Sequence, residues 1–419
     1  MGFGKAHLGA GFVVATEDVH IRYKQRPAGY DLPDVGGGSP EIPSAYRLRN
    51  RRDLDDIPNS YNFVLGAVGS MGLRNLRLGV AVSLPVSRLG RQISHFRDER
   101  EQFVSNNLDF ELYGNRSQQQ VILVGAAYRV LEWLSVGGGF SIAPSVTSEA
   151  SVYLQDATNQ KDVRIAVRND QLGRTAPLLG VQARPHRRLW LGASYRGANY
   201  MDLKIKNAIQ IRGFQGSSSF PILQSARMAL GYTPTALSLG ARTEWSAWAI
   251  SADAVLSQWS QFIDTQGEAK SGFADVWSAR LGAQYQAQPD RILRMGLQWE
   301  PTPVPAQTGR SNFVDNDRLV ASVGASHKLA LFSSPVSLNW YVQLHHLVSR
   351  DTNKRALASH PACAPGVTAL CDEIADNTPG PSGGSVPAYQ GLQTGNPGFP
   401  GWTSWGQLLT VGADVRMEF

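Results

Sequence analysis

Residues 404–419, the last sixteen of the chain, end in an alternation of apolar and polar positions. One face would carry Leu409, Val411, Ala413, Val415, Met417 and Phe419, and the other Thr410, Gly412, Asp414, Arg416 and Glu418. A period of two residues is typical of a β-strand with one apolar and one polar face. An apolar face that runs to the terminal residue is expected where the last strand pairs with the first and closes a membrane barrel.

The same pattern recurs along the chain around a short repeat, an apolar residue followed by Gly and then Ala or Val. Leu8-Gly9-Ala10, Val124-Gly125-Ala126, Leu239-Gly240-Ala241 and Val411-Gly412-Ala413 are examples. In each copy the glycine falls on the polar face of an alternating segment, and the spacing between copies is irregular. The repeat therefore indicates many separate strands rather than a solenoid. Inward glycines would ease curvature of the wall or let a bulky apolar solute approach the backbone.

The connections between these segments alternate between short and long. Short ones lie near 69–73, 130–133, 185–188, 245–247, 287–290 and 331–335. Long ones lie near 25–58, 86–115, 213–230, 263–274, 302–316 and 351–403, with a shorter one near 157–161. This rhythm is typical of an outer-membrane barrel with short periplasmic turns and long extracellular loops. The predicted fold is all-β: one transmembrane antiparallel β-barrel of about fourteen strands over residues 1–419. A soluble sandwich or propeller is disfavoured because it would not expose columns of Trp and Leu.

Composition agrees with such a barrel. No run of eighteen apolar residues occurs, charged residues make up 18%, and mean hydropathy is −0.22. A barrel gives this value because lipid-facing and lumen-facing residues alternate. The net charge is +6. The basic stretch from Arg47 to Arg52 is a solvated loop in one interpretation and a contact with outer-leaflet phosphates in the other.

Cysteine content and the amino terminus carry two further expectations. Cys363 and Cys371 are close together in a Pro/Gly-rich stretch, which favours a small disulfide-closed loop over a metal site. Residues 1–5 lead directly into an alternating segment without a charged and an apolar region before it. We therefore expect no signal peptide within the chain.

No set of residues indicates catalysis, a metal or a cofactor. His345 and His346 are neighbours on a strand, so they point to opposite faces and cannot hold one metal together. Gly137-Gly138-Gly139 lacks the context of a nucleotide-binding motif, and no residue is marked as a nucleophile. The sequence predicts a protein that is not an enzyme.

The stretch from 84 to 110 contains the candidate binding residues. Pro85 lies at the end of a strand that begins near Leu73, and proline marks an interruption of the ladder or simply the end of the strand. Beyond it Phe96, Arg97, Arg100 and Phe103 follow helical spacing. A short helix there would place an aromatic stripe beside two guanidinium groups, which suits an amphiphile with a carboxylate head. A loop helix packed on the barrel mouth is the alternative.

Several motifs, taken in order, resemble the FadL-type outer-membrane transporters of long-chain fatty acids and other hydrophobic compounds. They are Val124-Gly125-Ala126-Ala127-Tyr128-Arg129 with Trp133-Leu134-Ser135-Val136-Gly137; Tyr232-Thr233-Pro234-Thr235-Ala236-Leu237; Trp259-Ser260-Gln261-Phe262; and Pro301-Thr302-Pro303-Val304-Pro305 with Asp315-Asn316-Asp317-Arg318. The resemblance covers most of the chain and implies a fourteen-stranded barrel. It also implies passive uptake by loop capture and lateral release through an interrupted third strand. The strand that carries Pro85 is third.

The resemblance fixes the roles that we expect of individual residues. Phe96, Phe103 and Phe110 would line the capture groove, Arg97 or Arg100 would bind a carboxylate, and Pro85 would mark the wall opening. The expected partners are a hydrophobic ligand, outer-membrane lipid and lipopolysaccharide, with the barrel as a monomer. The family has an amino-terminal plug inside the barrel, ahead of the first strand. This sequence shows no counterpart of it before Gly4, so the gating role of the plug is not assigned to residues of this chain.

Two other functions remain as alternatives. A general diffusion porin would show rings of charge in its lumen, whereas these inward faces hold Gly, Ser and scattered Arg. A surface or adhesin-type barrel would act through long loops such as 351–403.

Overall fold

The structure is a computed structural model that describes eight stretches of the chain. They are residues 6–25, 59–86 apart from 71 and 74, 121–155 apart from 144 and 145, 162–211, 222–264, 272–331 apart from 310, 334–355, and 396–419 apart from 397. Eighteen strands lie in them: β1 His7–Tyr23, β2 Ser60–Gly69, β3 Leu76–Pro85, β4 Val121–Leu131, β5 Leu134–Ile142, β6 Val146–Gln155, β7 Asp162–Leu172, β8 Thr175–His186, β9 Leu189–Arg196, β10 Asn199–Ile211, β11 Ile222–Thr233, β12 Thr235–Trp245, β13 Trp248–Gln258, β14 Val276–Gln288, β15 Arg291–Glu300, β16 Arg318–Leu331, β17 Ser334–Asn353 and β18 Gly401–Glu418. In these stretches no helix has the length and apolar character needed to cross a membrane.

Fourteen of the strands close into an antiparallel barrel, in the order β1-β18-β17-β16-β15-β14-β13-β12-β9-β8-β5-β4-β3-β2. β1 completes the circle because it pairs with β2 on one side and with β18 on the other. The β1–β18 ladder runs from His7 opposite Glu418 to Tyr23 opposite Trp402. The predicted all-β barrel of about fourteen strands, closed by the strand that leads to Phe419, is confirmed.

The two ends of the barrel differ in their connections. β12 and β13 are joined by residues 246–247, and β14 and β15 by residues 289–290, at the end where β1 begins and β18 ends. The opposite end carries the longer connections, such as 259–275 and 301–317. We call these the turn end and the loop end.

The strands present apolar side chains outward, as the alternation predicts. On β15 the outward residues Leu293, Met295, Leu297 and Trp299 are all exposed. Aromatic side chains border this band, with Tyr195, Trp277 and Trp299 towards the loop end and Tyr128, Trp133, Trp248 and Tyr285 towards the turn end. The rings of Trp248 and Tyr285 lie 4.6 Å apart. Such aromatic rows are typical of the two interfaces of a membrane.

The other four strands form a separate sheet in the order β11-β10-β7-β6. β6, β7 and β10 each continue a barrel strand along the chain, so the sequence pattern counts each of these pairs as one long strand and still obtains fourteen. The breaks fall where a ladder cannot continue. Pro234 between β11 and β12 has no amide hydrogen. Gly197 between β9 and β10 donates its N–H to the Pro177 carbonyl at 2.9 Å, but Pro177 has no amide hydrogen to donate in return. The range near 213–230, predicted as a connection, contains the start of β11, which pairs with β10.

Candidate functional site

The predicted wall opening lies at the end of β3, the third strand of the barrel. The described part of the β3–β4 ladder runs to Ser83 opposite Val121, the first described residue of β4, and on its other side β3 pairs with β2 as far as Pro85 opposite Asn62. Val86 donates its N–H to the Tyr61 carbonyl of β2 at 2.8 Å, so the nitrogen of the preceding Pro85 faces the β4 side. That nitrogen carries no hydrogen and cannot donate to a ladder.

The other predicted site residues lie outside the described residues. They are Phe96, Arg97, Arg100, Phe103 and Phe110 of the capture groove, and Cys363 and Cys371 of the expected disulfide. Their roles stay predictions.

The lumen faces of β3, β4, β5, β8 and β9 carry mainly glycine, alanine and serine. Gly79 stands opposite Gly125, and Gly125 stands opposite Gly139 on the next strand. Gly137 of β5 in turn stands opposite Gly180 of β8. Because no side chain projects from these positions, the backbone itself lines the lumen. We call the sector formed by these five strands the small-residue half. A bulky apolar solute could approach its wall closely.

The strands from β12 to β18 present a lumen face of the opposite kind. Charged side chains occupy its inward positions: Arg242, Glu244, Arg280, Arg294, Asp414 and Arg416. Where a glycine occurs in this sector, a neighbouring side chain covers it. A Cβ on Gly296 would lie 2.7 Å from the Ser322 hydroxyl, and one on Gly412 would overlap the Tyr341 ring. We call this sector the charged half.

Residues 301–317, between β15 and β16, cross the loop end of the charged half, and we call them the strap. At one end of the strap Val314 packs against a buried cluster of lumen-facing residues on β1, β17 and β18: Val19, Ile21, Leu347, Trp402 and Leu408. At its other end Val304 and Phe313 pack against Tyr232, Trp259, Phe262 and Phe273. The strap therefore joins two apolar clusters on different parts of the wall.

The second cluster is aromatic. A 3₁₀ turn over Trp259–Gln261 follows β13 and turns Trp259 and Phe262 inward. The ring centroids of Phe262 and Phe273 lie 4.3 Å apart, and the strap residue Phe313 meets Phe262 edge-on at 5.4 Å and 89°. Edge-to-face and offset pairs add about 0.5–1.5 kcal/mol each beyond the burial of their area.

Polar contacts also hold the strap. The Arg350 guanidinium donates to the carbonyl oxygens of Val304 at 2.7 Å and Asp315 at 3.0 Å. The Lys354 ammonium, only 4% exposed, donates to the carbonyl oxygens of Gly309 at 2.6 Å and Ser311 at 3.1 Å. It also donates to the Asn312 side-chain oxygen at 2.7 Å. Two cations at the loop end of β17 thus satisfy strap carbonyls that no ladder satisfies.

Apart from these strap contacts, an ion pair joins the loop ends of β1 and β17. The Lys24 ammonium lies 2.7 Å from the Asp351 carboxylate. Its hydrogen bond holds the pKa of the Asp351 carboxyl below its ordinary value. Asp351 follows Val348, the last exposed apolar residue of β17, and so stands beyond the outward apolar band.

Sequence reasoning missed the strap and the division of the lumen into two halves. The signal available for the strap was the run Pro301, Pro303 and Pro305, which cannot form a ladder, followed by polar residues that turn out to be buried. Gln307 and Asn316 are 1% exposed, although amides in a connection usually face water. In the described stretches, no group of three His, Cys, Asp or Glu side chains could hold a metal ion.

The chain matches the family model described as outer membrane protein transport protein (OMPP1/FadL/TodX) over residues 111–335, more than half of its 419 residues. It is 28% identical over 136 residues to alkane uptake protein A of Marinobacter nauticus, covering 29% of this chain and 30% of that protein. It is 32% identical over 116 residues to the long-chain fatty acid transport protein of Salmonella typhi, covering 26% of each. The chain thus spans less than a third of the length of these curated relatives.

Two solved structures share the fold. A FadL homologue of Pseudomonas aeruginosa superposes with a TM-score of 0.57 at 13% identity, covering 99% of this chain and 90% of the other. The toluene transporter TodX of P. putida superposes with a TM-score of 0.52 at 12% identity, with the same coverage of 99% and 90%. At these identities the likeness concerns the fold alone, and it agrees with the closed barrel.

Proposed function

Because the chain belongs to the OMPP1/FadL/TodX family of outer membrane transport proteins, we propose that it carries a hydrophobic small molecule passively across that membrane. Family membership confirms the resemblance found in the sequence and locates the barrel in the outer membrane. The proposed route has three steps: capture by the loops, passage beside the small-residue half, and sideways release into the bilayer next to β3. No bond is made or broken on this route, so the proposed protein is a transporter and not an enzyme.

The observation that carries the proposal is the position of Pro85, whose nitrogen faces the β4 side of β3 and has no hydrogen to donate. β3 and β4 also carry the paired Gly79 and Gly125, so an apolar solute lying against backbone in that sector would lie next to this position. Release there would have fewer ladder hydrogen bonds to break, and such bonds are costly to break in an apolar medium.

The strap supports the same route from the other side. It covers the loop end of the charged half and is fixed by buried contacts, so a solute that enters from the loop end is directed towards the small-residue half. Desolvating the charged half against a hydrocarbon would be unfavourable, because buried charges need partners. The capture groove proposed for this entry remains Phe96, Phe103 and Phe110.

The substrate class proposed here is apolar, with or without a carboxylate. The relatives' names refer to alkanes, long-chain fatty acids and toluene. Arg97 and Arg100 would bind the carboxylate of a fatty acid and would make no such contact with an alkane. A comparison of the uptake of the two solutes therefore tests the proposal.

The test is the initial rate of uptake in cells that lack their own fatty-acid transporter and express this chain. Deletion of residues 90–110 should abolish uptake of both labelled oleate and labelled hexadecane. Arg97→Ala/Arg100→Ala should lower oleate uptake about tenfold, the size of one lost charge-assisted hydrogen bond, and leave hexadecane unchanged. Arg51→Ala/Arg52→Ala is the matched control. Unchanged oleate uptake in the deletion variant would disprove the capture step.

Lateral release is tested separately with Pro85→Val. Valine supplies the amide hydrogen and the β-propensity that proline lacks, so it favours extension of β3 and should slow uptake of both solutes. Pro335→Val, in β17 at the turn end, is the control and should transport normally. Equal rates for the two variants would mean that the solute does not leave beside β3.

The alternative functions give different results in simple assays. A diffusion porin would make liposomes swell in sugars, and its conductance would not depend on residues 90–110. A surface barrel acting through its loops would bind no hydrophobic fluorescent probe in detergent. The proposed transporter binds the probe and does not pass the sugars.

A further inference from the structure

Three arginines in the charged half face the lumen from strands well separated along the chain. Arg242 lies on β12, Arg294 on β15 and Arg416 on β18. Two strands lie between β15 and β12 and two between β15 and β18, so three strand spacings, roughly 14 Å of arc, separate the arginines on each side. Their long side chains shorten that separation, and Arg294 feels the positive charges of both Arg416 and Arg242.

A chain of hydrogen bonds orients two of these guanidinium groups. Arg294 donates to the Ser326 hydroxyl, which donates to the Asn339 side-chain oxygen. The Asn339 amide then donates to the Asp414 carboxylate at 2.7 Å. Arg416 donates to the same carboxylate oxygen at 2.8 Å. The chain crosses four neighbouring strands, β15 to β18, and fixes the direction of each group in it.

The charges in this group do not balance. Arg416 is paired with Asp414, and Arg242 with Glu244 at 3.0 Å. The Arg294 guanidinium donates to the neutral Ser326 hydroxyl, and the carboxylate at the other end of its hydrogen-bond chain, Asp414, is already paired with Arg416. In this group three guanidinium groups therefore share two carboxylates. Like charges held together on one lumen face favour an anion between them.

The site is open to the lumen, because Arg294 and Arg416 are exposed residues although they face inward. Gly296 follows Arg294 on the same face of β15, and the Ser322 hydroxyl of β16 lies over it. That hydroxyl is a further donor beside the Arg294 guanidinium that an oxyanion could accept from.

We infer that Arg242, Arg294 and Arg416 form an oxyanion-binding site in the barrel lumen, with Arg294 as the group that binds the anion. Guanidinium groups bind carboxylate and phosphate oxygens with two parallel hydrogen bonds, and the fixed orientation of Arg294 suits that geometry. The oxyanion is the carboxylate of an amphiphile or a free phosphate ion. The site lies on strands other than those of the proposed apolar route and goes beyond that function.

The experiment measures anion binding to the full chain in nonionic detergent, by calorimetry and by the shift in melting temperature. The probes are octanoate and inorganic phosphate, each compared with chloride at equal ionic strength. Arg294→Gln should weaken binding at least about tenfold, as expected for a lost charge-assisted bidentate contact. Arg291→Gln, on the same strand at the turn end, is the matched control and should bind as the wild type does.

Arg294→Lys protects the test against a variant that fails to fold. It keeps the charge but loses the planar fork, so binding should fall between those of the wild type and Arg294→Gln. If Arg294→Gln weakens only octanoate, the natural ligand is an amphiphile headgroup; if it weakens only phosphate, the ligand is a free anion. Either result supports the site. Equal affinity of the wild type, Arg294→Gln and Arg291→Gln for both probes would overturn it.

Hexadecane uptake by the same variants keeps this inference separate from the transport proposal. Hexadecane has no anionic group, so Arg294→Gln should not change its uptake. Loss of anion binding with normal hexadecane uptake supports both statements. Normal anion binding in a chain that transports no hydrophobic solute would disprove the transport function and leave the oxyanion site standing.

Discussion

Asn316 holds the strap in a gap of the barrel ladder, and its removal offers the sharpest test of the loop-end architecture. The ladder between β17 and β18 shifts register between Leu347 and Arg350, so two residues of β17 face one of β18. The Asn316 amide enters this bulge and donates to the carbonyl oxygens of Val348 and Ser404, both at 2.8 Å. A bulge leaves backbone groups without ladder partners, and a strap side chain satisfies them here.

The size of the effect follows from the groups left behind. Asn316 and Ser404 are each 1% exposed, and the Ser404 hydroxyl also donates to the Asn316 side-chain oxygen at 3.0 Å. Asn316→Ala removes the partner of two carbonyls and one hydroxyl. A buried polar group without a partner costs about 1–3 kcal/mol. Taking the lower value for each of the three groups, because water from the lumen replaces part of the loss, we expect a loss of about 3 kcal/mol in the free energy of unfolding.

Reversible urea unfolding in lipid vesicles, followed by tryptophan fluorescence, measures this loss. Trp402 and Trp405 lie beside Ser404, so the signal of the ten tryptophans includes the affected seam. Thr308→Ala, an exposed strap residue, is the control and should change stability by less than about 0.5 kcal/mol. Asn316→Asp keeps the shape but loses the amide donor, and should cost at least as much as Asn316→Ala. If Asn316→Ala and Thr308→Ala unfold at the same urea concentration, the strap is not fastened through Asn316.

Two further predictions concern other parts of the lumen. Gly139→Ala would bring its new Cβ within 2.7 Å of the Gly125 Cα and into the carbonyl oxygen of Val124, and should cost about 1–3 kcal/mol. Gly180→Ala is the control: its new Cβ would meet nothing closer than 3.8 Å, so its stability should not change. The unfolding temperatures of the two variants are compared by heat-modifiability on gels, and equal temperatures would contradict the close-approach argument. Lys354→Met keeps the length of the side chain but leaves strap carbonyls unsatisfied, and should lower stability by about 2 kcal/mol. Hydrogen exchange of the strap amides checks it, and exchange as slow as in the wild type would show that Lys354 holds nothing in place.

The sequence was sufficient to predict the wall of the barrel, because the wall obeys a local rule. Each strand alternates between lipid and lumen, so Leu409 and Thr410 could be assigned to faces without knowledge of any neighbour. The count of fourteen followed from the spacing of turns. The end of β3 at Pro85 was visible because the residue itself lacks a ladder donor.

The separate sheet and the strap could not be predicted in this way, since both depend on contacts between distant residues. Pro234 and Gly197 mark breaks in the alternation, but the path of the chain beyond them is fixed by pairing of β10 with β7 and β11. Asn316 looks like an ordinary loop amide until β17 and β18 bring Val348 and Ser404 around it. Period-two patterns assign faces; they do not assign partners.

The two halves of the lumen should therefore respond to mutation in opposite ways. In the small-residue half the strands approach each other at positions without side chains, so a variant such as Gly139→Ala destabilises the barrel by adding a methyl group. At the strap over the charged half, buried polar groups satisfy one another, so variants such as Asn316→Ala and Lys354→Met destabilise the barrel by removing a partner. This difference follows from the arrangement of the strands around the barrel: the inward glycines cluster on β3, β4, β5, β8 and β9, and the inward charges on β12 to β18. The proposed apolar route and the proposed oxyanion site would therefore lie on different strands of one barrel.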